Sequence, residues 1–186
     1  MPRTLAALTV LLALALAATP AVGGDPQKSL QRIPDAALQA TPEQCAGLPC
    51  RDGHLKLSEL PGRFLLLEVF SMYCPYCQSS APEVNRLHQI IAASKHADQF
   101  SLAGLGAGNS RFEVEYFKDK FDIAFPLFPD RDMHFYNRLP EPGTPYFILA
   151  KKDGGDGLKV LWTHIGPFDS APEFFSTILG KAGLEP

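Results

Sequence analysis

From Arg63 to Phe70 the chain reads Arg-Phe-Leu-Leu-Leu-Glu-Val-Phe. Apolar residues follow one another there without a 3.6 period, which is the pattern of a buried strand. After the short connection Ser71-Met72-Tyr73 the pattern changes. Val84, Leu87, Ile90 and Ile91 fall at helical spacing, which predicts a helix over about 75–95. Phe100–Leu105 reads as a second core strand. Ser110 to Phe121 fits a helix capped by Ser110, with Glu113 three residues on as in a capping box. A short strand is expected over 125–128 and one or two helical turns over 132–139. Tyr146–Ala150 and Leu158–Ile165 flank the turn Asp153-Gly154-Gly155-Asp156-Gly157, the signature of a hairpin. An amphipathic helix over 170–180 closes the chain. Upstream, 54–57 reads as a short strand followed by a turn at 58–60. The order is β-α-β-α-β, then a hairpin, then a helix. It predicts an α/β fold with a mixed sheet flanked by helices on both faces.

Residues 1–24 have the pattern of a secretory signal: Arg3, then an apolar core from Leu5 to Ala18, then small residues up to Gly24. The core is short for a membrane span of roughly 20 residues. A cleaved signal is the expectation, with an uncleaved N-terminal anchor as the alternative. The address is then exported, and periplasmic in a bacterium. Residues 25–51, rich in Pro, Gln and Ala at their start, read as a loosely packed lead-in with a short helix around 35–39. Residues 52–186 read as one domain with a full core. The net charge is −3 and no basic tract exists, which argues against nucleic acid or anionic lipid as the main partner.

Four cysteines fall as two close pairs, Cys45/Cys50 and Cys74/Cys77. The second pair, Cys74-Pro75-Tyr76-Cys77, lies where a strand ends and a helix begins. Free N–H groups and the positive end of the helix dipole stabilise a thiolate there. Pro75 fits the first turn, where its missing N–H costs nothing. Cys74 is the candidate nucleophile and Cys77 the resolving thiol. Glu68 is a carboxylate on an otherwise apolar strand. It is either a buried proton acceptor for Cys77, or turned to solvent or a lysine. Tyr73, Pro75, Tyr76, Pro145 and Tyr146 form a candidate apolar rim for a protein substrate. Cys45 and Cys50 suit a structural disulfide in an oxidising compartment. A relay pair feeding Cys74/Cys77, metal ligands and free thiols are the other readings. The five histidines form no ligand-spaced pair with an acid, so no metal is expected, and dithiol-disulfide exchange at Cys74/Cys77 needs no dissociable cofactor.

These features together resemble the thioredoxin superfamily over about residues 52–183. The Cys-x-x-Cys motif opens a helix after a strand. Pro82 matches the helix-kinking proline, Glu68 the buried acid, and Gly143-Thr144-Pro145-Tyr146-Phe147 the segment carrying the family's cis-proline. Between Cys77 and Pro145 lie 67 residues, room for one β-α unit beyond a minimal thioredoxin. That is similar to the TlpA-like, redoxin-type branch of exported thiol-disulfide oxidoreductases. Glu68-Val69-Phe70-Ser71 and Pro75-Tyr76 look more like a DsbA or glutaredoxin motif, and Tyr73 replaces the usual Trp. The resemblance implies disulfide exchange at Cys74/Cys77, a cis Pro145, and backbone hydrogen bonds from Thr144 to a substrate strand. It implies exported protein thiols or disulfides as substrates, a membrane redox protein for regeneration, and a monomer. Redox direction stays open. A non-enzymatic binding or chaperone module with a structural disulfide is the reading from another class.

Overall fold

The computed structural model describes residues 30–141 and 143–185. The expected signal segment and the first residues of the lead-in lie outside them. No helix among the described residues is long and apolar enough to cross a membrane.

The sheet is built around β4 (Phe64–Phe70), all seven residues of which are buried. It pairs in parallel with β5 (Phe100–Ala107) on one side and antiparallel with β7 (Tyr146–Lys151) on the other. β6 (Leu127–Asp130) continues the parallel side beyond β5. β8 (Leu158–Ile165) and then β1 (Arg32–Ile33) extend the antiparallel side. The order β1-β8-β7-β4-β5-β6 is a mixed sheet. Side chains alternate across it. Phe64, Leu66 and Phe70 join one core cluster, while Leu65, Leu67 and Val69 join another on the opposite face.

The first face is covered by three long helices: α2 (Pro75–Ala93), α3 (Arg111–Lys120) and α4 (Ala171–Ala182). α3 and β6 are the added unit at the sheet edge. Ser110 caps α3, and the Glu113 side chain returns to the Ser110 N–H at 2.7 Å, completing the expected capping box. The second face is covered by short elements. These are α1 (Pro42–Cys45), the hairpin of β2 (Ala37–Gln39) and β3 (His54–Lys56), and the connector after β6, whose Phe135 is buried.

The lead-in departs from expectation. Residues 37–39 form a strand, not a helix, because Leu38 is buried between exposed Ala37 and Gln39, a period of two. Nor is the segment loosely packed. Ile33, Leu38 and Ala40 are all buried, and β1 is part of the main sheet. Arg32 holds it there, its guanidinium gripping Asp153 at 2.8 and 3.0 Å and the Gly157 carbonyl at 2.7 Å. Gly157 has φ +74°, and a Cβ there would lie 2.2 Å from the Ile33 carbonyl oxygen, so only glycine admits this approach. Strand β6 starts two residues later than its apolar run suggests. Phe125 is buried but fills the core from the preceding loop. At 132–139 the helical turns reduce to one 3-10 turn, Tyr136–Arg138.

Cys45 and Cys50 are joined by a disulfide and pack against the second-face core. Cys77 lies in the first-face core, so the sheet separates the two pairs. The bridge closes a loop of six residues, for which the chain-entropy model gives about 2 kcal/mol. Replacing both cysteines by alanine is expected to lower the melting temperature by about 4–8 °C and to leave exchange at Cys74/Cys77 intact. Calorimetry and a small-disulfide reduction assay check this. An unchanged melting temperature, with lost regeneration by an upstream thiol donor, is the contrary result.

Candidate active site

β4 delivers the chain to the carboxyl end of the sheet, where Ser71–Tyr73 turn into α2. Cys74 is the N-cap residue of α2, in extended conformation, with Pro75 at the first helical position. Its backbone N–H donates to the Ser71 carbonyl at 3.0 Å. Cys74 is partly exposed, whereas Cys77, one turn on, is fully buried; both thiols are free. The fold brings the 144–145 loop against them. The Cys74 thiol donates to the Thr144 carbonyl oxygen at 3.2 Å, the Thr144–Pro145 peptide is cis, and Pro145 is buried.

The two thiols are electrostatically unequal. Partial burial works against a Cys74 thiolate. It is outweighed by hydrogen bonds from the Thr144 side chain, from the Cys77 backbone and thiol, and from the Tyr76 backbone, so the pKa falls below the ordinary cysteine value. Cys77 moves the other way. Burial pushes its thiol far up, and the nearby Glu68 carboxylate and the Cys74 thiol add to the rise.

Glu68 settles on the inward alternative. It is 4% exposed and lies on the same face of β4 as Leu66 and Phe70, beneath Cys77. It forms no ion pair with a lysine among the described residues. Burial, and then the proximity of Cys74, push its pKa up to about 8. Its neighbour across β5 is Gly104, where a Cβ would meet Leu127 Cδ2 at 2.3 Å.

The rim is partly as expected. Tyr73 and Tyr76 are 64% and 65% exposed and Pro75 is exposed beside them. Tyr146 is not part of it. Strand alternation sends it, with Ile148 and Ala150, into the second-face core, where it is 3% exposed. Ile165, paired with Tyr146 in β8, is 46% exposed and packs over Gly143.

Three polar side chains, Asn109, Gln78 and Glu113, fix the Ser71–Tyr73 loop. Asn109, wholly buried, accepts the Met72 N–H at 2.8 Å. Gln78 donates to the Met72 carbonyl at 2.7 Å. The Tyr73 hydroxyl donates to Glu113, whose carboxyl is held down at about 2 by Ser110, Tyr73 and Arg131. Gly106 makes room for Asn109, since a Cβ there would lie 3.1–3.2 Å from it. The only advance signal was the capping box that placed Ser110 and Glu113.

Known proteins match this arrangement. The Redoxin family profile covers residues 31–178. The thiol-disulfide oxidoreductase ResA of Halalkalibacterium halodurans is 22% identical over 140 residues, 75% of this chain and 72% of that protein. The soluble secreted antigen MPT53 of Mycobacterium tuberculosis is 28% identical over 149 residues, 80% and 74% of the two chains. Among solved structures, a thiol:disulfide interchange protein DsbE from Chlorobium tepidum superposes with TM-score 0.62 at 20% identity, covering 82% of this chain and 95% of that one. A secreted disulfide oxidoreductase of Mycobacterium tuberculosis gives 0.55 at 18% identity, with 78% and 96% coverage. The chain therefore belongs to the redoxin family, and within the thioredoxin superfamily it is of the thiol-disulfide oxidoreductase type.

Proposed function

We propose that this protein is exported and exchanges disulfides with protein substrates through Cys74 and Cys77. The observation that carries the reading is the contrast between an accessible thiol of lowered pKa and a buried thiol of raised pKa above a buried carboxylate. The Cys74 thiolate attacks a substrate disulfide, and one substrate sulfur leaves as thiolate. Cys77 then gives its proton to the ionised form of Glu68 and attacks the Cys74 sulfur. The second substrate thiolate departs and the Cys74–Cys77 disulfide remains, so two electrons have passed to the substrate. The same steps reversed oxidise a substrate dithiol. A Glu68 pKa near working pH suits a group that takes a proton in one direction and returns it in the other.

The exposed side chains of Tyr73 and Tyr76 on either side of Cys74 in the chain support an extended protein segment as substrate, with Thr144 beside Cys74. The apolar N-terminal segment and the secreted relative support export. A membrane redox partner would reset the pair, and the chain acts as a monomer. Residues 30–51 belong with the catalytic domain as its second-face cover, and the Cys45–Cys50 bridge is structural. Insulin reduction tests the activity, and the equilibrium of Cys74/Cys77 with glutathione sets the direction. A potential near about −120 mV marks an oxidant and one near about −270 mV a reductant. No exchange with insulin or glutathione would leave only a binding module.

Cys77→Ser is expected to accumulate mixed disulfides with client proteins through Cys74, and Cys74→Ser none. Non-reducing electrophoresis reads the outcome, and equal trapping by both variants would reverse the assignment.

Glu68→Gln is expected to slow turnover at pH 7 by on the order of 10²-fold with the fold intact. Stability changes in the opposite sense. Glu68 in the folded protein keeps its proton up to about pH 8, whereas the unfolded chain releases it near the ordinary carboxylate value of 4.5. Between those values the folded state binds more protons, so stability falls as pH rises. Wild type and Glu68→Gln should therefore melt further apart from pH 4.5 to 8, the variant being the more stable. Rates unchanged across pH 6 to 8 would remove Glu68 from the mechanism.

Asn109→Ala strands the half-buried Met72 N–H, a loss of about 1 kcal/mol. As a positioning residue Asn109 also governs Cys74, so the variant should raise the pH at which the Cys74 thiolate appears by ultraviolet absorbance. A drop in melting temperature with an unmoved titration would make the role structural alone.

A further inference from the structure

The turn that steadies the active-site loop also walls a cavity of about 680 Å³. It lies between the β2–β3 hairpin, the start of α3 and the segment after β6. The carboxyl ends of the parallel strands β5 and β6 reach it through Leu105, Pro129 and Asp130. Arg111, Arg131 and Arg138 line it. Among the described residues none of the three is in ion-pair contact with a carboxylate; the two ion pairs formed involve Arg32 and Arg86.

Two carboxylates, Asp130 and Asp132, line the cavity with the three arginines, and Glu113 stands close enough to Arg131 to feel its charge. Asp130 accepts the Phe135 and Tyr136 N–H groups at 3.2 and 3.0 Å. Glu113 accepts from Ser110 and Tyr73. Asp132 is the exposed acid of the lining that no hydrogen bond engages among the described residues. A chain of net charge −3 thus gathers three guanidinium groups against two carboxylates in one concavity, and no side-chain hydrogen bond engages the three among the described residues. Guanidinium recognises carboxylate through paired N–H donors. Ser110 is on the cavity wall, and the Ser110–Glu113–Tyr73 chain of hydrogen bonds leads from it to the residue before Cys74. The cavity wall and the residue before Cys74 are thus joined by one run of hydrogen bonds.

We propose that this cavity binds carboxylate side chains of the protein substrate, so that segments with acidic residues beside the reacting cysteine are preferred. The inference rests on the disulfide-exchange reading and adds its substrate class. Phe112, 76% exposed on the same wall, gives the segment's apolar side chains a contact.

Two measurements on the full chain test it. The first is reduction of three disulfides: an acidic peptide disulfide, its glutamine counterpart, and uncharged hydroxyethyl disulfide. At low salt the acidic peptide should react about tenfold faster than the glutamine peptide, and added salt should erase the difference. Arg111→Gln/Arg138→Gln should abolish the preference while hydroxyethyl disulfide reacts as before. Arg131 is left in place because it also acts on Glu113. The second is binding of cysteine-free pentaglutamate, expected for wild type and lost in the double variant. Equal rates for the two peptides, or a preference that survives in the double variant, overturns the proposal. So does inorganic phosphate binding at these arginines without peptide discrimination, which would mark a small-anion pocket. If wild type fails to reduce hydroxyethyl disulfide, the exchange reading falls, and pentaglutamate binding alone then decides whether the cavity takes carboxylates.

Discussion

β4 is paired on both sides and buried on both faces, and the chemistry depends on what that enclosure does to a carboxylate. A strand in the centre of a sheet has no water to offer Glu68. The charged form is therefore disfavoured, and the proton it holds lies directly beneath the resolving thiol. The same enclosure fixes the strand's end, so the following loop and the start of α2 emerge at one defined point. Cys74 is placed at the helix terminus by the strand as much as by the helix.

This arrangement sets stability against reactivity. A neutral side chain of the same shape would suit the core better at neutral pH. Glu68 there costs folding energy as pH rises, in exchange for a proton acceptor near Cys77. The disulfide between Cys45 and Cys50 lies on the other face, where it ties the lead-in to the core without touching the reacting pair.

Around the thiols the polar contacts are made by segments far apart in the chain. Asn109 and Glu113 come from the β5–α3 turn, Gln78 from α2, and Thr144 from the loop before β7. One turn, residues 109–113, both steadies the loop before Cys74 and walls the arginine-lined cavity. Recognition of a segment in that cavity and presentation of the thiol thus share a support.

The sequence by itself determined the strand, the turn and the helix that carry Cys74 and Cys77, because an unbroken apolar run and a 3.6 period are local properties. It marked the α3 capping box for the same reason, and Glu68 as a lone carboxylate on an apolar strand, whereas Pro145 stood out through the resemblance to the thioredoxin superfamily. Tertiary structure decided what depends on distant partners. Ala37–Gln39 became a strand because β3 was available to pair with it. Tyr146 left the rim because the register of β7 against β4 turns it to the second face. Asn109 gained a role only when the sheet brought it to Met72. Arg111, Arg131 and Arg138 are scattered in sequence and form no basic tract, yet the ends of β5 and β6 gather them around one cavity. Charge patterning along a chain reports neighbours in sequence, whereas an electrostatic site is made by neighbours in space.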